Sequence, residues 1–185
     1  MNIYSLKNLL LLFPIIKLEI FNQEPCLLVK TSLSNKVLFL LKNHFKYQFK
    51  ILTCVSGIDE PKNLYRFKVV YELLSIKFNT RVRIKFLADE LMIINSAESV
   101  FPNANWWESE VWDMFGIFFT NHSNLVRLLT DYGFEGYPLR KDFPLSGFYE
   151  SRYSQIKNRV VYGNIELCQE YRTFEFPSPW ENFKW

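Results

Sequence analysis

Two stretches of alternating residues decide the fold: Tyr65-Arg-Phe-Lys-Val-Val-Tyr-Glu-Leu73 and Thr80-Arg-Val-Arg-Ile-Lys-Phe86. In the second stretch, apolar side chains occupy every other position and Arg or Lys the positions between them. Because successive side chains of a strand point to opposite faces, this pattern is typical of antiparallel strands with one face in water. The short link through Phe78-Asn79-Thr80 predicts that the two strands form a hairpin.

Elements on the N-terminal side of this hairpin complete an α+β domain. Apolar residues between Leu33 and Phe45 recur at helical spacing, and Ser34 is placed to cap the helix. A strand is predicted near Cys26–Lys30, and another over Gln48–Val55 that ends at Ser56-Gly57. The sequence therefore predicts a small, mostly antiparallel sheet covered by helices.

Composition excludes several classes of protein. The 185 residues are 49% hydrophobic and 22% charged, which is ordinary for a globular protein and unlike disordered or collagen-like chains. The net charge of +3 combines +6 in residues 1–100 with −3 in residues 101–185. Such weak basicity gives no support for nucleic-acid binding by itself.

The N-terminal apolar run Leu9–Ile16 is too short to span a bilayer, which needs about 20 residues. No small residues follow it as a cleavage site, and the first Arg of the chain is Arg66, so neither a secretory signal nor an import presequence is predicted. We expect a short helix that docks its Leu face, and no membrane span.

The chain has only three cysteines, Cys26, Cys54 and Cys168, and they are widely separated. A typical iron–sulfur cluster or Cys₄ zinc site needs four thiolates, and a mixed site would have to recruit both His44 and His122. We therefore expect no metal or cofactor in this chain.

A second helix is predicted over Asn103–Phe115, capped at Asn103 or Asn105 and stopped by Gly116. It carries three carboxylates, Glu108, Glu110 and Asp113, which could serve a carboxylate-dependent hydrolase. No His, Lys or Gly-rich loop lies close in sequence to complete such a site. Ordinary helix electrostatics with salt bridges to a partner is the favoured interpretation.

An RNA-binding module is a further alternative, because cationic residues follow one another along the two alternating strands. The aromatic residues of these strands alternate out of phase with the cations, so we expect them to point into the core, where they cannot stack on bases. A solvated or partner-facing sheet surface is favoured over RNA. The cations concerned are Arg66, Lys68, Arg81, Arg83 and Lys85.

After residue 122 the periodicity fails, and frequent Gly and Pro leave room only for short strands or a helix near Leu125–Thr130. This stretch still carries 14 of the 33 aromatic residues. Because a long irregular segment with such content is abnormal for a free-standing domain, we expect it to lie on another protein rather than over its own sheet. The predicted organisation is a globular domain over residues 1–122 and an extended aromatic tail over residues 123–185.

Three motifs resemble a family of NADH dehydrogenase subunits, the thirty-kilodalton subunit of respiratory complex I, whose mitochondrial members are also called subunit nine. They are Asn105-Trp-Trp-Glu-Ser-Glu-Val-Trp-Asp-Met-Phe-Gly-Ile117, Leu128-Leu-Thr-Asp-Tyr-Gly-Phe-Glu-Gly-Tyr-Pro-Leu-Arg-Lys-Asp-Phe-Pro-Leu145 and Tyr171-Arg-Thr-Phe-Glu-Phe-Pro-Ser-Pro-Trp-Glu181. The long central motif is highly specific, and the resemblance covers most of the chain after about residue 25.

The resemblance implies a cofactor-free subunit of the matrix-side peripheral arm of proton-pumping NADH:ubiquinone oxidoreductase at the mitochondrial inner membrane. NADH, FMN, iron–sulfur clusters and ubiquinone would be bound by other subunits. In that family a tail lies along the forty-nine-kilodalton quinone-site subunit, so the chain would be an obligate hetero-oligomer that binds no nucleic acid.

This chain departs from the family pattern at Ser109, Ser123 and Val126, which stand where Arg, Pro and a basic residue are usual, so salt bridges there are in doubt. Arg140 and Asp142 are predicted to make charge-assisted contacts to the partner or to the chain's own acidic helix. The full set of predicted interface residues is Arg127, Tyr132, Phe134, Arg140, Lys141, Asp142, Phe143, Arg172, Phe174, Phe176 and Trp180.

The genetic origin of the chain has a compositional hint. Phe, Tyr, Met, Ile, Asn and Lys supply 73 of the 185 residues and Ala only 3, the bias of AT-rich coding DNA. Together with the missing presequence, this favours a gene carried in the mitochondrion.

Overall fold

The computed structural model describes residues 15–22, 24–169, 171, 172, 174 and 176. Their contacts divide the chain into two compact units, Met1–Phe143 and Pro144–Trp185. The sequence placed the end of the globular domain near residue 122. The contacts carry the first unit on to Phe143, so residues 123–143 belong to that unit.

A five-stranded sheet is the centre of the first unit. Its strands stand in the order β1-β2-β5-β4-β3, and all neighbours are antiparallel except the parallel pair β2 and β5. The α+β class is confirmed. The strands are β1 (Ile15–Phe21), β2 (Glu24–Val29), β3 (Ile51–Asp59), β4 (Phe67–Ser75) and β5 (Thr80–Ala88).

The hairpin predicted from the alternating stretches is the pair β4 and β5. Val69 lies opposite Phe86 and Tyr71 opposite Ile84, and all four side chains are buried. The cationic positions between them fall on the other face of the sheet. The sequence period alone therefore fixed which face of these strands builds the core.

Two helices complete the core: α1 (Ser34–Asn43) and α2 (Ala104–Phe115). Val37, Leu38 and Leu41 of α1 pack in one cluster with the inward residues of the sheet and with Val111 and Phe115 of α2. Gly116 ends α2 in the left-handed conformation, with φ of 76°, as predicted. Among the described residues, no helix is long and apolar enough to cross a membrane.

Two local predictions about helix starts are wrong. Ser34 does not cap α1, because a 3₁₀ turn over Thr31–Leu33 precedes it and makes it the first helical residue, buried in the core. Asn103 is the N-terminal flanking residue of α2, but its amide donates to the Leu52 carbonyl (2.8 Å) instead of capping the helix. A tertiary hydrogen bond thus replaces the cap at Asn103, whereas at Ser34 the preceding 3₁₀ turn moves the residue into the helix.

Strand β3 does not end at Ser56-Gly57 but runs on to Asp59. A Cβ atom at Gly57 would meet the Phe115 ring at 2.5 Å, so the glycine marks a close approach of α2 to the strand and not a turn. The sequence left short strands or a helix near Leu125–Thr130 as alternatives, and the structure has neither there, since this segment is irregular. The predicted N-terminal helix falls mostly on residues 1–14, outside the described residues, and Ile15 and Ile16 begin β1.

Short elements complete the description. The two-residue strands β6 (Ile94–Asn95) and β7 (Phe119–Thr120) pair in parallel. In the second unit, β8 (Tyr149–Ser154) and β9 (Arg159–Asn164) form an antiparallel hairpin, one of the short-strand alternatives that the sequence left open.

Candidate functional site

The three carboxylates of α2 lie in different environments. Glu108 and Asp113 are fully buried, whereas Glu110 is half-buried. The expectation of ordinary exposed helix charges is therefore wrong for two of the three. Their burial requires polar partners, since an unpaired charge in a protein interior is strongly destabilising.

Glu108 joins α2 to the sheet and to the segment before the helix. Its carboxylate accepts hydrogen bonds from the Tyr71 hydroxyl (3.1 Å), the Ser96 hydroxyl and the Ala97 N–H (2.8 Å). Burial raises the pKa of Glu108, although these hydrogen bonds oppose the rise. A raised pKa is what a hydrolase acid needs, but the fully enclosed side chain is out of reach of any substrate. Glu108 thus joins the helix to the sheet through hydrogen bonds and does not act as a general acid.

Asp113 holds an irregular loop to the other end of the helix. One carboxylate oxygen accepts the backbone N–H groups of Leu128 (3.1 Å), Leu129 (2.7 Å) and Thr130 (3.0 Å), and the other accepts the Thr130 hydroxyl (2.6 Å). Arg127 approaches the same carboxylate at 3.4 Å. Burial alone would raise the pKa of Asp113, but the donated hydrogen bonds outweigh it and the pKa is lowered. These consecutive N–H groups face Asp113, so its carboxylate supplies acceptors for a backbone that has no helix or strand of its own.

A second ionic cluster, here called the Arg66 cluster, surrounds one guanidinium group. Arg66 contacts the buried Asp59 (2.8 Å), Glu90 (2.6 Å) and Asp142 (2.9 Å). Asp59 also accepts the backbone N–H of Lys141 at 2.7 Å. The hydrogen bond from Arg66 lowers the pKa of Asp59, and the same contact lowers that of Asp142. The cluster thereby ties residues 141–142 to strand β3 and to the start of β4.

Arg140 packs against the end of α2. Its Nε donates to the Phe115 carbonyl (2.6 Å), and its guanidinium lies 4.5 Å from the centre of the Tyr137 ring and 5.1 Å from that of Phe67. The carbonyl is one of those left without an intrahelical partner at a helix C-terminus, where a cation is favourable. Arg140 therefore contacts the predicted acidic helix through a backbone carbonyl, whereas Asp142 pairs with Arg66 before β4 and not with that helix. Contacts of either residue with a partner stay a prediction.

The remaining predicted interface residues fall into three groups. Phe134 and Phe143 are half-buried with ring centres 5.9 Å apart, and Arg127 lies over the Trp112, Phe134 and Tyr137 rings. Trp180 lies outside the described residues. The exposed group consists of Tyr132, Lys141, Arg172, Phe174 and Phe176.

An aromatic face on the β8–β9 hairpin was not singled out from the sequence. The register places Tyr153 opposite Val160 and Tyr162 opposite Ser151, so these side chains share one face with Tyr149. Each of the three tyrosines is about 60% exposed. The alternation Tyr149, Ser151, Tyr153 was a detectable signal, but the Gly and Pro around it obscured the strand period.

The cationic sheet face is not a free basic surface. Lys68 pairs with Glu60 (2.5 Å), Arg83 with Glu72 (2.5 Å) and Lys85 with Glu19 (3.4 Å). Arg66 is already engaged with its three carboxylates. Nucleic-acid affinity comes largely from Lys and Arg that neutralise phosphates. Four of the five cations named for this face already have acidic partners, while the fifth, Arg81, is exposed, so the RNA alternative loses most of its support.

The cysteines do not fit an iron–sulfur cluster. Cys26 lies on β2 and Cys54 on β3, with β5 and β4 between them, which separates them by roughly 14 Å at the usual strand spacing. Within the described residues no group of three or more His, Cys, Asp or Glu side chains could hold a metal ion.

Two of the three departures from the family pattern have clear local roles. Ser109 is buried and its hydroxyl donates to the Asn105 carbonyl (3.0 Å). The Ser123 N–H and hydroxyl both donate to the Glu98 carboxylate (2.8 and 2.7 Å), and they lower the pKa of Glu98. Val126 is half-exposed with no such role. Ser109 and Ser123 thus act as uncharged hydrogen-bond donors where the family usually has Arg and Pro.

These features define a class of protein. The two buried carboxylates and the Arg66 cluster serve internal contacts, while large aromatic side chains stand at the surface, which is typical of a subunit that works through contacts with other proteins. The family model described as "Respiratory-chain NADH dehydrogenase, 30 Kd subunit" matches residues 27–149. The chain belongs to this family and is thereby a subunit of the NADH:ubiquinone oxidoreductase complex.

Curated relatives agree with the family match. "NADH dehydrogenase [ubiquinone] iron-sulfur protein 3" of Beta trigyna is 54% identical over 146 residues, covering 79% of this chain and 76% of the relative. The protein of the same name from Solanum tuberosum is 53% identical, with 79% and 77% covered. "NADH-ubiquinone oxidoreductase subunit 9" of Reclinomonas americana is 50% identical over 145 residues, with 78% and 71% covered.

Proposed function

We propose that this chain is a structural subunit without a cofactor of its own, which braces the quinone-site part of the peripheral arm during electron transfer from NADH to ubiquinone. The observation that carries the proposal is a contrast within the chain: its buried carboxylates are fully hydrogen-bonded, while many of its aromatic side chains are exposed. The buried Glu108 and Asp113 are saturated with hydrogen bonds inside the fold. Aromatic side chains that would gain from burial instead lie in water.

The exposed aromatic residues support a docking role for the C-terminal part of the chain. Phe176 is 89% and Phe174 is 70% exposed, and the hairpin adds its three tyrosines. An isolated two-stranded hairpin is at best marginally stable in water, so a surface that covers one of its faces would stabilise it. Tyr and Phe are enriched in the cores of protein interfaces.

The family supports a proposal for the partner and the location. We propose that the principal neighbour is the forty-nine-kilodalton quinone-site subunit and that the chain is an obligate hetero-oligomer on the matrix side of the mitochondrial inner membrane. The family name and the relatives' names support a respiratory-chain role. The composition, with 73 residues of the six AT-rich types, supports a mitochondrial gene.

The proposal assigns NADH, FMN, the iron–sulfur clusters and ubiquinone to other subunits. The separation of Cys26 and Cys54 by two strands supports this assignment, because typical clusters are held by four thiolates around one site.

A triple variant of the hairpin tests the docking role: Tyr149→Ser, Tyr153→Ser and Tyr162→Ser in the full chain. We expect less assembled complex on native gels and a parallel fall in NADH:ubiquinone reductase activity, with the activity per assembled complex unchanged. A double variant on the opposite hairpin face, Arg152→Ser with Arg159→Ser, is the matched control and should assemble more fully. Normal assembly combined with slow turnover of the triple variant would contradict a purely structural role.

A further inference from the structure

We propose that Tyr132, together with Leu129, is a preorganised anchor that inserts into an apolar pocket with a positively charged rim on a neighbouring protein of the complex. The inference rests on the proposed function, because it assumes that the chain works through contacts with other subunits. It concerns the first compact unit and not the hairpin.

The first observation is the contrast between two neighbouring aromatic residues. Tyr132 is 100% exposed, and Leu129 is 62% exposed. Phe134, two residues further on, is folded inward between the Phe143 ring (5.9 Å) and the Arg127 guanidinium (6.0 Å). The loop therefore packs the half-buried Phe134 against its own residues and leaves Tyr132 exposed, so the exposure of Tyr132 does not reflect a general lack of packing.

The second observation is that this loop is held at several points. Asp113 accepts the N–H groups at residues 128–130, and Arg127 donates to the Gly136 carbonyl at 3.0 Å. Between these points, the Phe134 N–H donates to the Asp131 carbonyl (3.1 Å) and closes a turn, with Gly133 at φ of 70°. Tyr132 occupies the leading corner of that turn, where a side chain points away from the loop.

Rigidity of this kind favours binding. A side chain held on an ordered loop loses less conformational entropy on association than one on a loop that must first be ordered. Tyr is also one of the residues that most often dominate the binding energy of an interface, because it combines a large apolar ring with a polar hydroxyl. An apolar pocket with one hydrogen-bonding group for the hydroxyl would match this side chain.

The acidic residues near Tyr132 indicate that the rim of the partner's pocket is positively charged. Asp131 and Glu135 are both exposed and lie one and three residues from Tyr132, whose N–H donates to the Asp131 carboxylate (2.8 Å). The nearest cation in sequence, Arg127, points inward to Asp113. A surface with this acidic border complements Lys or Arg on the partner. A second copy of the same loop would bring like charges together, so we assign the pocket to a different subunit.

A competition assay tests the anchor in the complete complex. Wild-type and Tyr132→Ala chains are coexpressed in cells that assemble the complex, and mass spectrometry gives the ratio of the two peptides in the purified complex relative to the lysate. We expect the wild-type chain to be favoured by about tenfold or more, as for an interface hot spot. Tyr132→Phe, which keeps the ring, should compete within roughly threefold of wild type.

Further variants test the pocket and the loop separately. Glu135→Lys should be disfavoured if the rim is positive, and its enrichment in the complex would overturn that part of the proposal. Ile76→Ala, an exposed apolar residue of the β4–β5 turn, is the matched control and should compete equally with wild type. Thermal melting of the full chain should be unchanged in Tyr132→Ala, because the side chain is fully exposed.

The outcomes distinguish this inference from the proposed function. Equal incorporation of Tyr132→Ala and wild type would overturn the anchor, whereas poor assembly of the hairpin triple variant would still support the docking role. If the wild-type chain itself were absent from the purified complex, both would be wrong.

Discussion

Residues 127–143 and the β8–β9 hairpin differ in how they are held. The first segment has no helix or strand, yet it is tied to the domain through the fully buried carboxylates of Asp113 and Asp59. The hairpin has a regular antiparallel register over six residue pairs, but most of its side chains are exposed. Regular hydrogen bonding between strands and firm attachment to a core are thus separate properties.

The physical reason is where each segment finds its partners. The irregular segment satisfies its backbone N–H groups with side chains of the domain, so its conformation depends on residues far away in sequence. The hairpin satisfies its backbone locally and leaves its three tyrosines exposed. An irregular segment can therefore be rigid, and a regular one can depend on a partner.

The largest expected effect comes from removing the carboxylate that holds the irregular segment. Asp113→Ala leaves the N–H groups of residues 128–130 and the cation of Arg127 without their acceptor, and we expect the free energy of unfolding to fall by about 3–5 kcal/mol. Urea unfolding of the full chain, followed by tryptophan fluorescence, measures this. Glu110→Ala on the same helix is the control and should change it by less than about 0.5 kcal/mol. A similar loss in both variants would contradict a specific role of Asp113.

A smaller loss in the free energy of unfolding is expected when the Arg66 cluster is altered. Asp59→Asn removes the buried negative charge but leaves Glu90 and Asp142 beside Arg66, so we expect a loss of about 2–3 kcal/mol. Amide hydrogen exchange should accelerate at Lys141, whose N–H is bonded to Asp59.

The control for this variant is Glu60→Gln, which breaks the more exposed pair with Lys68 and should cost less than about 1 kcal/mol. Unchanged exchange at Lys141 in Asp59→Asn would show that the segment is held by other contacts.

Three glycines test the two regions with one type of substitution: Gly116 ends α2 beside Arg140 and Tyr137 of the irregular segment, Gly133 lies within that segment, and Gly163 lies in the hairpin. Gly116→Ala should cost about 2 kcal/mol or more, because φ is 76° and the new Cβ would meet Arg140 and Tyr137 at 2.6 Å. Gly133→Ala should cost about 1 kcal/mol, since φ is 70° but the surrounding space is open. Gly163→Ala in β9 meets nothing within 4 Å at an ordinary φ and should change stability by less than about 0.5 kcal/mol. Thermal melting of the three variants checks this order, and equal effects would remove the contrast between the regions.

The smallest effect expected is on the pH dependence of stability. The lowered pKa values of Asp59 and Asp113 give stability that is present above the unfolded value of about 3.9 and is lost as pH falls through their folded values. Glu108 has a raised pKa, so in the folded protein it stays protonated to a higher pH than in the unfolded chain. The free energy of unfolding therefore decreases as pH rises above about 4.3, the unfolded value. Glu108→Gln should flatten only this second slope in urea titrations at several pH values. Flattening on the acid side instead would reverse the assignment.

The sequence predicted what depends on near neighbours. The period of β4 and β5, the helical spacing of α1 and the stop at Gly116 all reflect interactions within a few residues, and all three were confirmed. The central motif also identified the family, which the match over residues 27–149 confirms.

The candidate site was harder to predict, because its partners are distant in sequence. Glu108 meets Tyr71 across 37 positions, and Asp59 meets Lys141 across 82. A carboxylate on a helix gives no local sign that it will be buried. Of the short strands or helix left open near Leu125–Thr130, neither forms, and the backbone there binds the distant Asp113. The interface roles of the eleven residues named from the motifs stay predictions.

By itself, the sequence determined the class of fold, the faces of the central hairpin, the second helix and the family of the chain. These features depend on the period of the side chains and on local motifs, both of which involve residues close together in the sequence. Only the tertiary structure decided that residues 127–143 belong to the first unit and that Glu108 and Asp113 are buried. It also decided that Tyr132 is exposed while Phe134 packs against Phe143. Each of these outcomes depends on hydrogen bonds and burial between segments far apart in the chain, which exist only once the sheet and helices have packed.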